Sequence, residues 1–171
     1  MFKSTAFSCL LFLISIAALV NALPLEKRST NIQLKSSSQF CFYLPGEPGL
    51  SIGGTEGSAV PFCTQSNLAS PSARQFPSGF IASAHYKSTS TYQQVTGRIN
   101  RDKYELSASD GGGQYDYKNE VDTLCNGHSY WVNLVEPDIN RFCIRCCSNK
   151  SDCNIGRSEY GCERVVPGDY S

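Results

Sequence analysis

Little in this chain of 171 residues points to catalysis: it has two histidines, one tryptophan and one methionine. It contains no His-Glu-x-x-His, and neither His85 nor His128 stands beside an evident nucleophile. His85 falls on the polar side of an alternating pattern and His128 just before another, so surface imidazoles are the plainer reading. An excess of charge is also missing, with 15 basic and 15 acidic side chains. Affinity for nucleic acid or for an anionic membrane surface comes from clustered Lys and Arg, so neither is an expected partner. Beyond Val20 no apolar run approaches the roughly 18 to 20 residues that span a bilayer, and stable membrane insertion is not expected. Clean 3.6-residue apolar periods are absent outside the leader, which leaves little room for long helices.

The N-terminus does carry a pattern. Lys3 precedes an apolar run over residues 6–20, and Val20-Asn21-Ala22 places small residues where a signal peptidase reads them. The sequence therefore predicts a signal peptide over 1–22, cut after Ala22. A short pro-segment over 23–28 ends in Lys27-Arg28, a dibasic pair of the kind that kexin-type proteases cut. Residues 29–171 then form one domain of ordinary size. Removing Lys3, Glu26, Lys27 and Arg28 leaves a net charge of about −2. The last residues, from Val166 to Ser171, show neither an apolar tail nor a retention signal, so a free extracellular product is expected.

Cys9 leaves with the leader, and Cys41, Cys63, Cys125, Cys143, Cys146, Cys147, Cys153 and Cys162 remain. An even number in a secreted chain reads as a disulfide framework of four bridges whose pairing the sequence does not choose. Cys143-Ile144-Arg145-Cys146-Cys147 also has a spacing known from zinc sites, but zinc needs reduced thiolates and the exterior is oxidising. No metal and no cofactor are expected. Five cysteines from Cys143 to Cys162, with few apolar residues among them, predict a stapled C-terminal lobe.

The rest of the pattern is strand and turn. Phe40-Cys41-Phe42-Tyr43-Leu44 stops at Pro45 and Gly46, and residues 59–63 form a second apolar stretch ahead of a non-helical small-residue loop over 64–78. Over 79–99 the alternation predicts two strands joined near Ser88 to Ser90, with Phe80, Ala82, Ala84 and Tyr86 on one side and Ser83, His85 and Lys87 on the other. Residues 103–107 read as another strand, leading into a mobile loop at Gly111-Gly112-Gly113. Residues 129–135 are the strongest strand, with Tyr130, Val132 and Leu134 toward the core and residues 142–147 as hairpin partner. Short helices fit near 119–124 and in the stapled lobe. The expected fold is all-β, a small disulfide-stapled sandwich or flattened barrel with a cysteine-rich C-terminal lobe, with α+β as the alternative.

Three weak constellations remain. Asp102, Glu105, Asp110, Asp116, Glu120 and Asp122 lie close in sequence, and paired carboxylates perform glycoside hydrolysis, but nothing in these polar, glycine-rich surroundings predicts the burial that an acid needs. Asp110, Asp116 and the glycine carbonyls offer calcium-type oxygens without the twelve-residue helix-loop-helix pattern. Tyr115, Tyr117 and Trp131 are candidate ligand contacts that would stack on a sugar or dock a partner, although alternate tyrosines on a strand are usually packing pairs. No catalytic residue emerges. Asn149-Lys150-Ser151 is an N-glycosylation sequon, so Asn149 is an expected attachment site.

Gly79-Phe80-Ile81, Ala84-His85-Tyr86, Gln94-Val95-Thr96-Gly97 and Ser107 through Asp116 together resemble fungal small secreted cysteine-rich proteins of the macrophage-activating-glycoprotein-like group. Asn133 to Pro137, Arg141 to Cys147 and Tyr160-Gly161-Cys162 extend the resemblance over nearly all of residues 29–171. It implies a fungal extracellular protein and a candidate host-colonisation effector, in symbiosis or virulence. It carries over no catalytic or binding residue. The function expected is that of a non-enzymatic effector or cell-surface interaction protein, whose partner is an unidentified host or cell-wall component, protein or glycan. A carbohydrate-binding module is the alternative, with a polysaccharide hydrolase behind it.

Overall fold

The computed structural model describes residues 29–71 and 73–171. The leader, the cut after Ala22 and the Lys27-Arg28 pair lie outside the described residues.

The chain opens with β1 (Thr30–Ile32), β2 (Leu34–Ser36) and β3 (Gln39–Leu44), followed by β4 (Val60–Cys63), β5 (Ala69–Ser70) and β6 (Arg74–Gln75). The long strands are β7 (Ile81–Ser88) and β8 (Tyr92–Ile99), then β9 (Gly113–Asp116), β10 (Thr123–Cys125), β11 (Tyr130–Glu136) and β12 (Arg141–Cys147). A five-residue helix, α1 (Gly161–Val165), lies in the C-terminal lobe. The domain is mainly β, and it is not α+β. Three sheets form, in the orders β7-β8-β12-β11-β9, β2-β3-β4-β6 and β10-β1-β5. The five-stranded sheet ends at β7 and β9 without closing on itself, so a barrel is not formed.

The period of two sorts the central sheet into two buried faces. Register places Trp131 opposite Cys146, Asn133 opposite Ile144 and Val135 opposite Phe142. This first face packs on β3: Phe142 stacks on Phe42 at 4.5 Å and Trp131 on Tyr43 at 4.6 Å between ring centroids. Phe40, Phe76 and Phe80 join the same cluster. Asn133, fully buried here, accepts from the Tyr43 N–H at 2.6 Å and donates Nδ2–H to the Cys143 carbonyl at 3.3 Å. A polar side chain in such a place is tolerable because its hydrogen bonds are made, and it fastens one sheet to the other.

Tyr130, Val132 and Leu134 do turn inward, but toward a second, smaller core with Cys143, Cys147, Cys153, Cys162, Val165 and Val166. The large aromatic core lies on the other side, with Trp131. Buried on both faces, β11 and β12 read as near-continuous apolar runs.

Four disulfides pair Cys41 with Cys63, Cys125 with Cys146, Cys143 with Cys162 and Cys147 with Cys153. Alternation explains why two adjacent cysteines take different partners. Cys146 shares the face of Trp131 and reaches β10, whereas Cys143 and Cys147 share the opposite face and hold the lobe.

Several local expectations are corrected. Residues 103–107 are not a strand: Arg101–Tyr104 is a 3-10 turn, capped by the Asn100 carbonyl oxygen of the side chain accepting from the Asp102 N–H. Asn is favoured at such a start. Glu105 leaves the turn at φ 55, and Tyr104 enters the core and donates to the Pro45 carbonyl. Two of the three glycines, Gly112 and Gly113, are packed, while Gly111 is exposed. Gly112 has φ +98 and a Cβ there would collide with the Val135 carbonyl, while one at Gly113 would meet the Gly53 backbone at 3.0 Å. Only glycine gives both freedoms. Residues 64–78 contain the 3-10 turn Ser66–Leu68 with β5 and β6 rather than a plain loop. Instead of a helix near 119–124 there are turns and β10. Ala82 is exposed because the β7–β8 register shifts between Ile81 and Ser83, although Ala84 and Tyr86 do pack on the core.

Candidate functional site

The candidate ring platforms are mostly inside the protein. Trp131 and Tyr115 are both 0% exposed. Trp131 donates Nε1–H to Thr123 Oγ1 at 3.1 Å, and the Tyr115 hydroxyl pairs with Thr55 Oγ1 at 2.7 Å. Burial holds the Tyr115 hydroxyl well above the usual phenol range. Neither ring offers a face to a sugar. Tyr117 is half-buried and meets Tyr130 edge-on at 5.2 Å, a packing pair.

Two of the clustered carboxylates are buried, against expectation. Asp116 accepts from Gln114 Nε2–H at 2.7 Å and from the Lys118 N–H at 2.8 Å. Glu120 accepts from the Gly57 N–H at 2.7 Å and the Ala59 N–H at 3.4 Å. Burial raises the Glu120 carboxyl above its ordinary range, those two N–H bonds oppose the rise, and the charges of Asp116 and Glu56 add to it. Both side chains staple loops. Asp110 does likewise, accepting from the Ile52 and Gly112 N–H groups at 2.9 Å each. Among the described residues no three His, Cys, Asp or Glu side chains converge on a cation position.

Gly49-Leu50-Ser51-Ile52-Gly53 has the Gly-x-Ser-x-Gly spacing of a hydrolase elbow, which depends on a sharp strand-to-helix turn with a base nearby. Here Ser51 sits in an exposed loop before the 3-10 turn Gly53–Thr55, and its Oγ accepts from the Gly54 N–H at 3.3 Å. The two histidines are engaged elsewhere: His85 faces Asp169, and the His128 backbone bridges Cys125.

A surface cleft lies along β7. With a volume of about 660 Å³, it is lined by Ala84, His85, Tyr86 and Lys87, with Ser36 and Ser37 of the β2–β3 turn on one rim. The other rim is the segment after α1. Gln94 Nε2–H donates to the Pro167 carbonyl at 3.0 Å and Thr96 Oγ1–H to the Asp169 carbonyl at 2.6 Å. The Asp169 carboxylate lies 3.4 Å from His85 Nδ1, and hydrogen bonds to Ser171 hold it below the usual carboxylate range. Behind this rim the Arg145 guanidinium donates to Gln94 Oε1 at 2.9 and 2.7 Å and lies 4.3 Å from the Tyr92 ring centroid. Sequence reading missed the cleft because Ser36, the β7–β8 residues and Asp169 come from three distant parts of the chain. Only the alternation at His85 and Lys87 hinted at a solvated strand side.

Asn149 is exposed, with an extended backbone at φ −116 and ψ 140, between Cys147 and Cys153. No helix among the described residues is long and apolar enough to cross a membrane.

The chain is similar to two curated proteins. It is 27% identical over 158 residues to appressorium protein ROW1 of Mycosarcoma maydis, a match covering 80% of this chain and 36% of the relative. With appressorium protein ROW2 of the same fungus it shares 31% identity over 93 residues, covering 53% of this chain and 31% of the relative. The chain thus spans about a third of the length of the curated relatives it matches. No family model and no solved structure matches it.

Proposed function

We propose that the protein is a secreted, non-enzymatic fungal protein that acts outside the cell in infection or host colonisation by engaging a host or cell-wall component. The observation that carries the reading is its similarity over most of its length to a fungal appressorium protein. Two structural facts support it. Four disulfides suit an oxidising exterior. Three of the six carboxylates that would serve a hydrolase, Asp110, Asp116 and Glu120, instead hold backbone N–H groups. Secretion after cleavage at Ala22, trimming at Lys27-Arg28 and a glycan on Asn149 complete the proposal.

Deleting the gene in the producing fungus and complementing with the full chain or with residues 29–171 alone tests it. Only the full chain should be found in the medium and restore colonisation. Unchanged colonisation in the deletion strain, or purified protein that degrades a wall polymer, overturns the reading.

A further inference from the structure

The cleft meets four consecutive residues of β7, Ala84, His85, Tyr86 and Lys87, whose side chains alternate between the two faces of the sheet. It reaches Thr96 and Gln94 of β8, beside His85 and Lys87, under the Gly168-Asp169 rim, and Ser36 and Ser37 on its other rim. β7 is the terminal strand of its sheet, so this cleft borders a free edge. Among the described residues no strand pairs with the far side of β7. Every second residue of an edge strand turns its N–H and C=O outward, and these are the groups that bind an added strand.

Resting on the interaction-protein reading, we infer that this cleft is a docking site for an extended peptide segment of a partner protein, which adds to β7 as a sixth strand. The two rims make it a groove rather than a bare edge. At about 3.3 Å per residue, the four β7 residues of the lining span about 13 Å, enough for a four-residue core of paired backbone. Main-chain bonds supply affinity and alternate side chains supply specificity in this mode of recognition. Register puts His85 and Lys87 on the same face, opposite Thr96 and Gln94, and the Asp169 carboxylate joins them there. Successive side chains of the peptide on that face pass an anion and then a cation. The partner segment therefore carries one basic and one acidic residue two positions apart. The edge is guarded at both ends, by the bulge between Ile81 and Ser83 and by exposed Lys87, which restrains indiscriminate pairing.

Linear nine-residue peptides in a random library are selected against the immobilised secreted protein, and the best binder is titrated into 15N-labelled protein. The expected result is shifted and exchange-protected amides within β7, with enrichment of the basic–acidic spacing. K87E should weaken that peptide about tenfold, and the peptide with its acidic residue made basic should recover the loss. D169K should do the same for the basic position, while Y160A, on the exposed lobe, leaves binding unchanged. The inference is overturned if no peptide rises above background, or if the shifts fall away from β7. Glycans rather than peptides shifting these amides, or a second copy of the chain pairing there in sedimentation, overturn it equally. A protein needed for colonisation that takes no peptide at β7 sinks this inference and leaves the interaction-protein reading standing.

Discussion

The two faces of the central sheet are held by different physics. On the Trp131 face, Tyr43 stacks on Trp131, and a cluster of rings runs from Phe142 through Phe42 to Phe80. Burial of rings of this size supplies most of what a small domain needs, since each removes a large apolar area from water. On the Leu134 face the apolar cover is thin, with Val165, Val166 and half-buried Ile155 and Tyr170. Two disulfides and a set of polar clamps make up the difference there. Each core holds two of the four disulfides, so the difference lies in the packing around them: rings fill the first core, whereas the second leans on its bridges and clamps. A lobe so built has few alternatives once oxidised and little reason to stay docked once reduced.

The contrast can be broken most strongly at Phe142. F142A should cost about 3 to 5 kcal/mol and lower the urea midpoint of the whole domain, because the cavity opens where several rings meet. Replacing Cys143 and Cys162 together with serine should cost about 2 to 4 kcal/mol, with a different signature. Amide exchange should quicken over residues 148–171 while β3 and β11 stay protected, and equal quickening everywhere would erase the distinction between the faces. N133A removes the side chain that ties β3 to β11, exposing no new cavity wall to solvent but stranding the Tyr43 N–H. About 1 to 3 kcal/mol is expected, read from the same urea midpoint.

The smallest effect is on pH. Burial raises the folded-state carboxyls of Glu120 and Glu136 above their ordinary value of 4.5. A group that binds its proton more tightly when folded opposes folding once ionised, so its contribution falls as pH rises from about 4.5 through the raised value. Mildly acid medium should give the higher unfolding midpoint, and E120Q should flatten part of that slope. A slope unchanged in E120Q would remove Glu120 as its source.

Much of this contrast was legible in the sequence. Aromatic and β-branched runs at residues 40–44 and 129–135 announce strands, and the crowding of cysteines after Cys143 announces the stapled lobe. Which face each side chain takes was half legible. Alternation correctly groups Tyr130 with Val132 and Leu134, but it cannot say that their face meets the lobe and that Trp131 meets the larger core. The run of three glycines misled because glycine signals both a free chain and a tight approach, and only the neighbours at Val135 and Gly53 decide between them. Asp116 and Glu120 looked solvated for a similar reason, since their partners include backbone N–H groups that carry no sequence signal. The β7 cleft was beyond reach, because an unpaired edge is a property of the sheet order.

The arrangement of β12 between the two faces is tested most directly by mapping the disulfides of protein collected from the medium, by mass spectrometry without reduction. The expected map has Cys146 linked to Cys125, Cys143 to Cys162 and Cys147 to Cys153, with no free thiol beside them. Cys146 joined to Cys153 or Cys162, or any of these sulfurs open to alkylation, would contradict it.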